Sequence, residues 1–485
     1  MKKDFLFNII LLLGINLLIK PFYIFGIDRT VQNVVGEEPY GLFFTLFNLA
    51  YLLQIVNDFG IQNFNSRNIA QNNQLIQKHF PSLLALKTGL SSLFIGALFV
   101  TAWILDYDSN VYHLLLIISG SLIFSSFFLF CRANLAGLGK YTTDSFLSIA
   151  DKVIMIIICA YLLWLSPNKT SFKIEWFAYA QLASFVLSAG LAFILLKAKI
   201  PKFELSKDRQ FYISIFKKSL PFALVILLMT IYTRIDAVMI ERLLPDGEQQ
   251  AGIYAAGYRI LDASNMLGYL VAGLLLPMFA KMLKDKKIIE DLLLMSFQFV
   301  FVLIFTVAIA CFFFQREIME ALYTEGDAYY GKVFGLLMLG SIAINVNYVF
   351  GTLLTANANM KRLNSLFAVS VVLNILLNFV LIKESKAYGA AFATLITQVL
   401  VTLVEIYYCL IVFKLKIKWP LMLRILGFSL ISIISVFAMS SYLNLHWVVL
   451  LLLSICVPLI LSLLFGLLRP KGFLMLIRTK FQKTG

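Results

Sequence analysis

Long apolar stretches recur along the chain, each closed by a short polar loop. They lie at about 5–27, 40–60, 81–105, 111–131, 143–165, 175–196, 219–240, 251–279, 291–314, 332–356, 363–383, 387–412, 421–442 and 446–468. A helix needs about 20 apolar residues to cross the hydrocarbon. Inside the bilayer every backbone N–H and C=O needs an internal partner, which only helices and closed barrels provide. Barrel strands would alternate apolar and polar positions, and these stretches do not. The pattern predicts an all-α polytopic membrane protein with about fourteen transmembrane helices.

Composition and charge orient those helices. Apolar residues make up 60% of the chain and charged residues 14%, against roughly 25% charged in soluble domains. Lys and Arg collect in every second loop: of 41, 29 fall in segments on one side and 8 on the other. Cytoplasmic loops are the basic ones, so both termini are expected in the cytoplasm. The same asymmetry accounts for most of the +15 net charge, and no nucleic-acid partner is needed to explain it. Met1-Lys2-Lys3 leads directly into a stretch of spanning length, so no cleavable leader is read. Cys131, Cys159, Cys311, Cys409 and Cys456 show neither metal spacing nor pairing and read as small apolar residues.

The chain reads as duplicated. Gly36-Glu37-Glu38-Pro39-Tyr40-Gly41-Leu42-Phe43 enters the second span, and Gly247-Glu248-Gln249-Gln250-Ala251-Gly252-Ile253-Tyr254 enters the eighth. Both run Gly-Glu, three residues, Gly, aliphatic, aromatic, on the outer side. An even offset of six spans keeps orientation, so the halves are parallel repeats about an axis along the membrane normal. The expected organisation is a six-helix bundle at 1–205, a second at 206–415, and two extra helices with a basic tail at 416–485.

Further motifs follow in order. Asn57-Asp58-Phe59-Gly60-Ile61 and Ser66-Arg67-Asn68-Ile69-Ala70 close the second span. Thr233-Arg234-Ile235-Asp236 lies in the seventh, and Gly252-Ile253-Tyr254, Tyr258-Arg259-Ile260 and Pro277 in the eighth. Asn374, Asn378 and Tyr388-Gly389-Ala390-Ala391-Phe392-Ala393-Thr394 mark the eleventh and twelfth. This series resembles the Wzx-type polysaccharide biosynthesis proteins, the O-antigen and capsule repeat-unit flippases of the multidrug/oligosaccharidyl-lipid/polysaccharide exporter superfamily. The resemblance implies two bundles around a central cavity, alternating access, and a bacterial inner membrane. The implied cargo is an oligosaccharide on polyprenyl pyrophosphate, and polysaccharide polymerase machinery is an implied partner.

Charges inside spans are costly and mark candidate sites. The cations are Lys20, Lys152, Arg234 and Arg259, with Arg29 in the first outer loop. Lys20 and Arg234 sit at similar depth in repeat-equivalent helices, and both suit a pyrophosphate: Arg offers a bidentate fork and Lys a compact charge. Snorkelling to headgroups competes with that reading. The acids are Asp58, Asp151, Asp236, Asp262 and Glu405. Arg259 and Asp262, at i and i+3, are placed to pair, whereas Arg234 and Asp236 are not. Asp151, Asp236, Asp262 and Glu405 are candidates for coupling or ion pairing. Asp58, Arg67, Pro21 with its expected kink, Gly41 and Gly252 are candidates for structural or gating roles. No cofactor is implied; proton coupling, sodium coupling and no coupling all fit the residues.

Two related readings compete. A multidrug exporter would call for acids in the first span, which offers Asn8, Asn16 and Lys20 instead. A lipid II flippase would share the cavity cations. A membrane glycan polymerase or ligase is disfavoured: the outer loops are short, and His79, His113 and His446 do not cluster. No nucleotide-binding loop or nucleophile elbow appears.

Overall fold

A computed structural model describes residues 14–16, 18–62, 65, 69, 75–166, 172–197, 200, 209–284, 289–357 and 359–468. The described secondary structure is helical. Helix α1 runs over 18–35 and contains a π-helical stretch, Tyr23–Asp28, two residues after Pro21. Then come α2 (Glu37–Asp58), α3 (Leu75–Ile104), α4 (Val111–Gly137), α5 (Tyr141–Leu147), α6 (Ala150–Ala160) and α7 (Ile174–Lys197). The chain continues through α8 (Arg209–Leu243), α9 (Gly247–Lys284), α10 (Glu290–Phe313), α11 (Gln315–Leu322) and α12 (Ala328–Ala356). It ends in α13 (Met360–Val412), α14 (Trp419–Tyr442) and α15 (Trp447–Leu464).

Twelve helical stretches among the described residues are long and apolar enough to cross a membrane. One of them, α13, is 53 residues long and broken at Lys386 (φ 53°, ψ −134°). It holds the expected eleventh and twelfth spans. The first expected span falls partly outside the described residues.

Element ends follow local chemistry. Gly36, at φ 88°, closes α1 and opens α2. Glu37 and Glu38 occupy the first turn of α2, where the helix dipole favours negative charge. The Asp327 carboxylate accepts from the backbone N–H groups of Tyr329 and Tyr330 at 2.8 and 2.9 Å, capping α12. One boundary differs from expectation. Arg29 opens the helical stretch Arg29–Val35 rather than lying in a loop. Val31 and Gln32 are buried there, and the chain stays helical until Gly36.

The chain forms two compact units, Met1–Gly252 and Ile253–Gly485. In the first, Phe80, Phe130, Ala192 and Ile215 belong to one buried apolar cluster, with Phe80 stacked on Phe130. In the second, Val302, Phe305, Phe428 and Val436 seat α14 against α10. Lys418 adds an ion pair to Glu290 at 2.7 Å, and that hydrogen bond holds the ammonium above its ordinary range.

The helices are inverted relative to soluble ones. In α13, Val369, Val372, Leu376 and Phe379 share an exposed face while Ser370, Asn374 and Asn378 are buried. Lipid solvates the apolar face, and the buried amides bond within and between helices. The Asn378 side-chain N–H donates to Asn374 at 3.0 Å, and Asn345 accepts from the Gly268 backbone N–H at 2.9 Å.

Candidate functional site

The first unit gathers charge inside its spans. Helix α6 begins after a short break at Ser148–Ile149, where the Asn16 amide donates to the Ser148 hydroxyl at 2.7 Å. This start places Asp151 and Lys152 in the first turn of α6, within a candidate span over Tyr141–Leu165. Asp151 is buried, and Lys152 Nζ lies 3.3 Å from its Oδ2. The same ammonium sits 4.6 Å from the Tyr23 ring centroid and 5.6 Å from that of Phe185. Tyr23 begins the π-helical stretch of α1.

Lys20, one turn before Tyr23, is half-buried and within electrostatic reach of Asp151, Lys152 and Arg132. Arg132 is itself paired with Asp144 at 2.8 Å and lies over the Phe128 ring. Two sequence-predicted cations, Lys20 and Lys152, therefore belong to one cluster with Asp151. Its aromatic wall was not foreseen. Aromatic faces attract cations by their quadrupole, and here they hold an ammonium without neutralising it. Among the described residues Asp151 is the counter-ion that contacts Lys152, and an incoming phosphate would compete for that ammonium.

Arg234 is half-buried in α8, with its guanidinium 5.4 Å from the Tyr51 ring centroid of α2. Asp236, two positions on, is buried. In the second unit, Arg259 and Asp262 are half-buried in α9. Glu405 is completely buried in α13. Arg67 lies outside the described residues.

A second ionic cluster lies at the C-terminal end of α2. Asp58 accepts from Lys87 Nζ at 2.6 Å, and Lys87 also donates to the Ser126 hydroxyl at 2.8 Å. Lys87 reads from sequence as one of the cytoplasmic cations, yet it is 3% exposed. Its position in an otherwise apolar run, Leu83-Leu84-Ala85-Leu86, was the available signal.

The end of the unit that carries the α3–α4 loop is fastened by groups the sequence does not connect. Tyr107, in the loop after α3, donates to Glu241 Oε2 at 2.8 Å. Arg242 pairs with Glu241, covers the Tyr107 ring at 3.8 Å, and donates to the Leu105 carbonyl at 2.9 Å. Burial and the Glu241 carboxylate push the Tyr107 phenol above its ordinary range.

The duplicated motif is a contact as well as a repeat. A Cβ on Gly41 would lie 1.8 Å from the Glu248 carbonyl oxygen, and one on Gly252 would lie 2.3 Å from that of Glu37. Position six of each copy packs on position two of the other. The Gln32 amide adds a hydrogen bond to the Gly252 carbonyl at 2.9 Å.

These features accord with the relatives of the chain. A family model described as polysaccharide biosynthesis protein matches residues 5–283. No curated protein sequence matches. Among solved structures, the chain resembles the lipid II flippase MurJ in an inward closed conformation, with a TM-score of 0.73 at 16% identity, covering 94% of this chain and 98% of that one. It resembles an inward-facing multidrug resistance MATE family transporter of the MOP superfamily at 0.60 and 13%, over 82% and 97%. It also resembles a MOP superfamily transporter from Pyrococcus furiosus at 0.59 and 13%, over 83% and 93%. Identities this low establish the fold alone. With the family match over more than half its length, the chain belongs to the polysaccharide biosynthesis protein family and carries the multi-pass helical fold of MOP superfamily transporters.

Proposed function

We propose that this protein is a flippase, moving a glycan carried on polyprenyl pyrophosphate from the inner to the outer leaflet of a bacterial inner membrane by alternating access. Both termini face the cytoplasm in this reading. The observation that supports it most is the Lys20–Asp151–Lys152 cluster, cationic overall and half-buried at spanning depth. A pyrophosphate needs cations in its path, because a charge in hydrocarbon is costly. Lys152 offers a compact charge held by one carboxylate and two rings, ready to exchange Asp151 for phosphate oxygen. Arg234 supplies a forked donor on α8. The polyprenyl tail stays in lipid while the sugars cross in water.

A lipid II flippase is the second reading, favoured by the 98% coverage of the MurJ structure. Its cargo would offer the same anion, so the head-group sugars distinguish the two. A drug exporter is less well supported, because a cationic substrate would meet Lys20, Lys152 and Arg234.

The test is reconstitution into liposomes carrying a labelled polyprenyl-pyrophosphate oligosaccharide, read by a membrane-impermeant sugar-modifying reagent. The wild-type protein is expected to expose the inner-leaflet pool. The Lys20→Ala, Lys152→Ala, Arg234→Ala triple variant is expected to fold and insert but not to flip. Full activity in that variant would contradict the cation assignment.

A further inference from the structure

Glu405 carries a carboxyl that neither cluster above uses. It is 0% exposed, in the second half of α13, after the break at Lys386. Neither carboxyl oxygen has a hydrogen-bond partner among the described residues. An uncompensated carboxylate at such a site is far costlier than a neutral acid with an unmade hydrogen bond.

The carboxyl nevertheless has a fitted seat. It rests against Gly351 of α12, where an added Cβ would come within 2.9 Å of Oε2 and 3.1 Å of Oε1. The Asn347 side-chain oxygen, one turn earlier, would be 3.0 Å from the same point. The missing methyl at 351 forms the notch, and an acceptor oxygen stands at its rim. An acceptor there repels a carboxylate and complements the O–H of the acid.

Helix α12 is the element packed against this one, and its single charged residue, Lys332, lies about five turns from Gly351. On its own helix the titratable neighbours are Tyr408, whose ring centroid lies 5.8 Å from the Arg362 guanidinium, and Cys409, one turn on, whose thiol donates to the Phe350 carbonyl at 3.6 Å.

We propose that the notch between Gly351 and Glu405 is a proton-binding site and that this proton is the coupling ion of transport. The carboxylate takes a proton from water when the site opens to one face and returns it to water at the other. The coupling role rests on the flippase reading; the site itself does not.

Two measurements test it. Dicyclohexylcarbodiimide adds to protonated carboxyls in apolar surroundings, so the purified full-length protein is labelled across a pH series and mapped by peptide mass spectrometry. Glu405 is expected to label, with labelling falling as pH rises. Gly351→Ala, which fills the notch, is expected to reduce labelling. Absence of label at Glu405 at every pH would overturn the proposal. In liposomes, a gradient of one pH unit is then imposed across the membrane. Exchange of one proton per cargo shifts the steady-state distribution of flipped lipid by about tenfold. Glu405→Gln is expected to remove that shift. An equal shift in Glu405→Gln, or a response to sodium alone, would overturn the proposal. Titrating label with no glycan flipped by the wild type would support the proton site and contradict the proposed function.

Discussion

Gly41 and Glu248 meet with no room for a side chain between them: a Cβ on Gly41 would lie 1.8 Å from the Glu248 carbonyl oxygen. The reciprocal approach of Gly252 to Glu37, at 2.3 Å, makes the contact two-fold in character. Duplicated sequence has become a self-complementary helix junction at the N-terminal ends of α2 and α9.

Gly41→Ala and Gly252→Ala are therefore expected to destabilise, each by about 1–3 kcal/mol, because the clash is with backbone. Gly96 and Gly190 meet nothing within 4 Å, so alanine there is expected to be neutral or slightly stabilising by helix propensity. Apparent melting temperatures of the four variants in detergent check this. Equal effects at all four positions would remove any special role for the junction.

The Asp58–Lys87 pair yields a double-mutant cycle. Lys87 has a side chain only 4% exposed. Asp58→Leu leaves that ammonium unpaired and Lys87→Met leaves the carboxylate unpaired, each at an expected cost of about 3 kcal/mol, while Asp58→Leu with Lys87→Met recovers most of it. Apparent stabilities of the single and double variants supply the coupling energy. Additive losses would mean the two groups act separately.

The Tyr107–Glu241 bond predicts a pH effect. The phenol is held protonated by its surroundings, whereas in an open loop it would ionise above about pH 10. Its contribution is whole below that pH and is lost as pH rises towards the folded-state value. Opening of residues 105–110, followed by hydrogen exchange, is expected to grow steeply in alkali for the wild type and less so for Tyr107→Phe. Identical alkaline profiles would show that this bond does not fasten the loop.

Single substitutions at the cationic cluster separate binding from folding. Lys152→Ala removes a charge held by Asp151 and two rings. Loss of one charge-assisted contact of about 1.5–3 kcal/mol corresponds to a drop of roughly tenfold to a hundredfold in flipping. Asp151→Asn leaves Lys152 without its counter-ion and is expected to impair flipping less. The liposome assay reads both, and an intact rate in Lys152→Ala would exclude that residue.

Much of this architecture was legible because membrane burial is written into long apolar runs. The spans, the broken α13 and the repeat all follow from hydropathy and glycine spacing. Lys152 and Lys20 were visible as isolated charges in such runs. What stayed hidden depends on contacts distant in sequence. Tyr23 as a wall for Lys152 requires the fold of α1 against α6. Lys87 lies near enough to a basic segment to be counted with it, although its environment is the bundle interior. Tyr107 and Glu241 are 134 residues apart, and nothing local joins them. Glu405 was visible as a charge, but its lack of a hydrogen-bond partner among the described residues is a property of the packed state. The duplicated motif announced a repeat, not that its copies touch.

The most direct test of the central claim is the location of lipid-linked glycan in cells lacking this protein. Extracted polyprenyl-pyrophosphate glycans, probed for leaflet with a membrane-impermeant reagent, should be complete repeat units trapped on the cytoplasmic side. Restoring the wild-type gene should release them, and the Lys20→Ala, Lys152→Ala, Arg234→Ala triple variant should not. Repeat units accumulating on the outer leaflet, or surface glycan unchanged with no trapped intermediate once a redundant flippase is excluded, would contradict it.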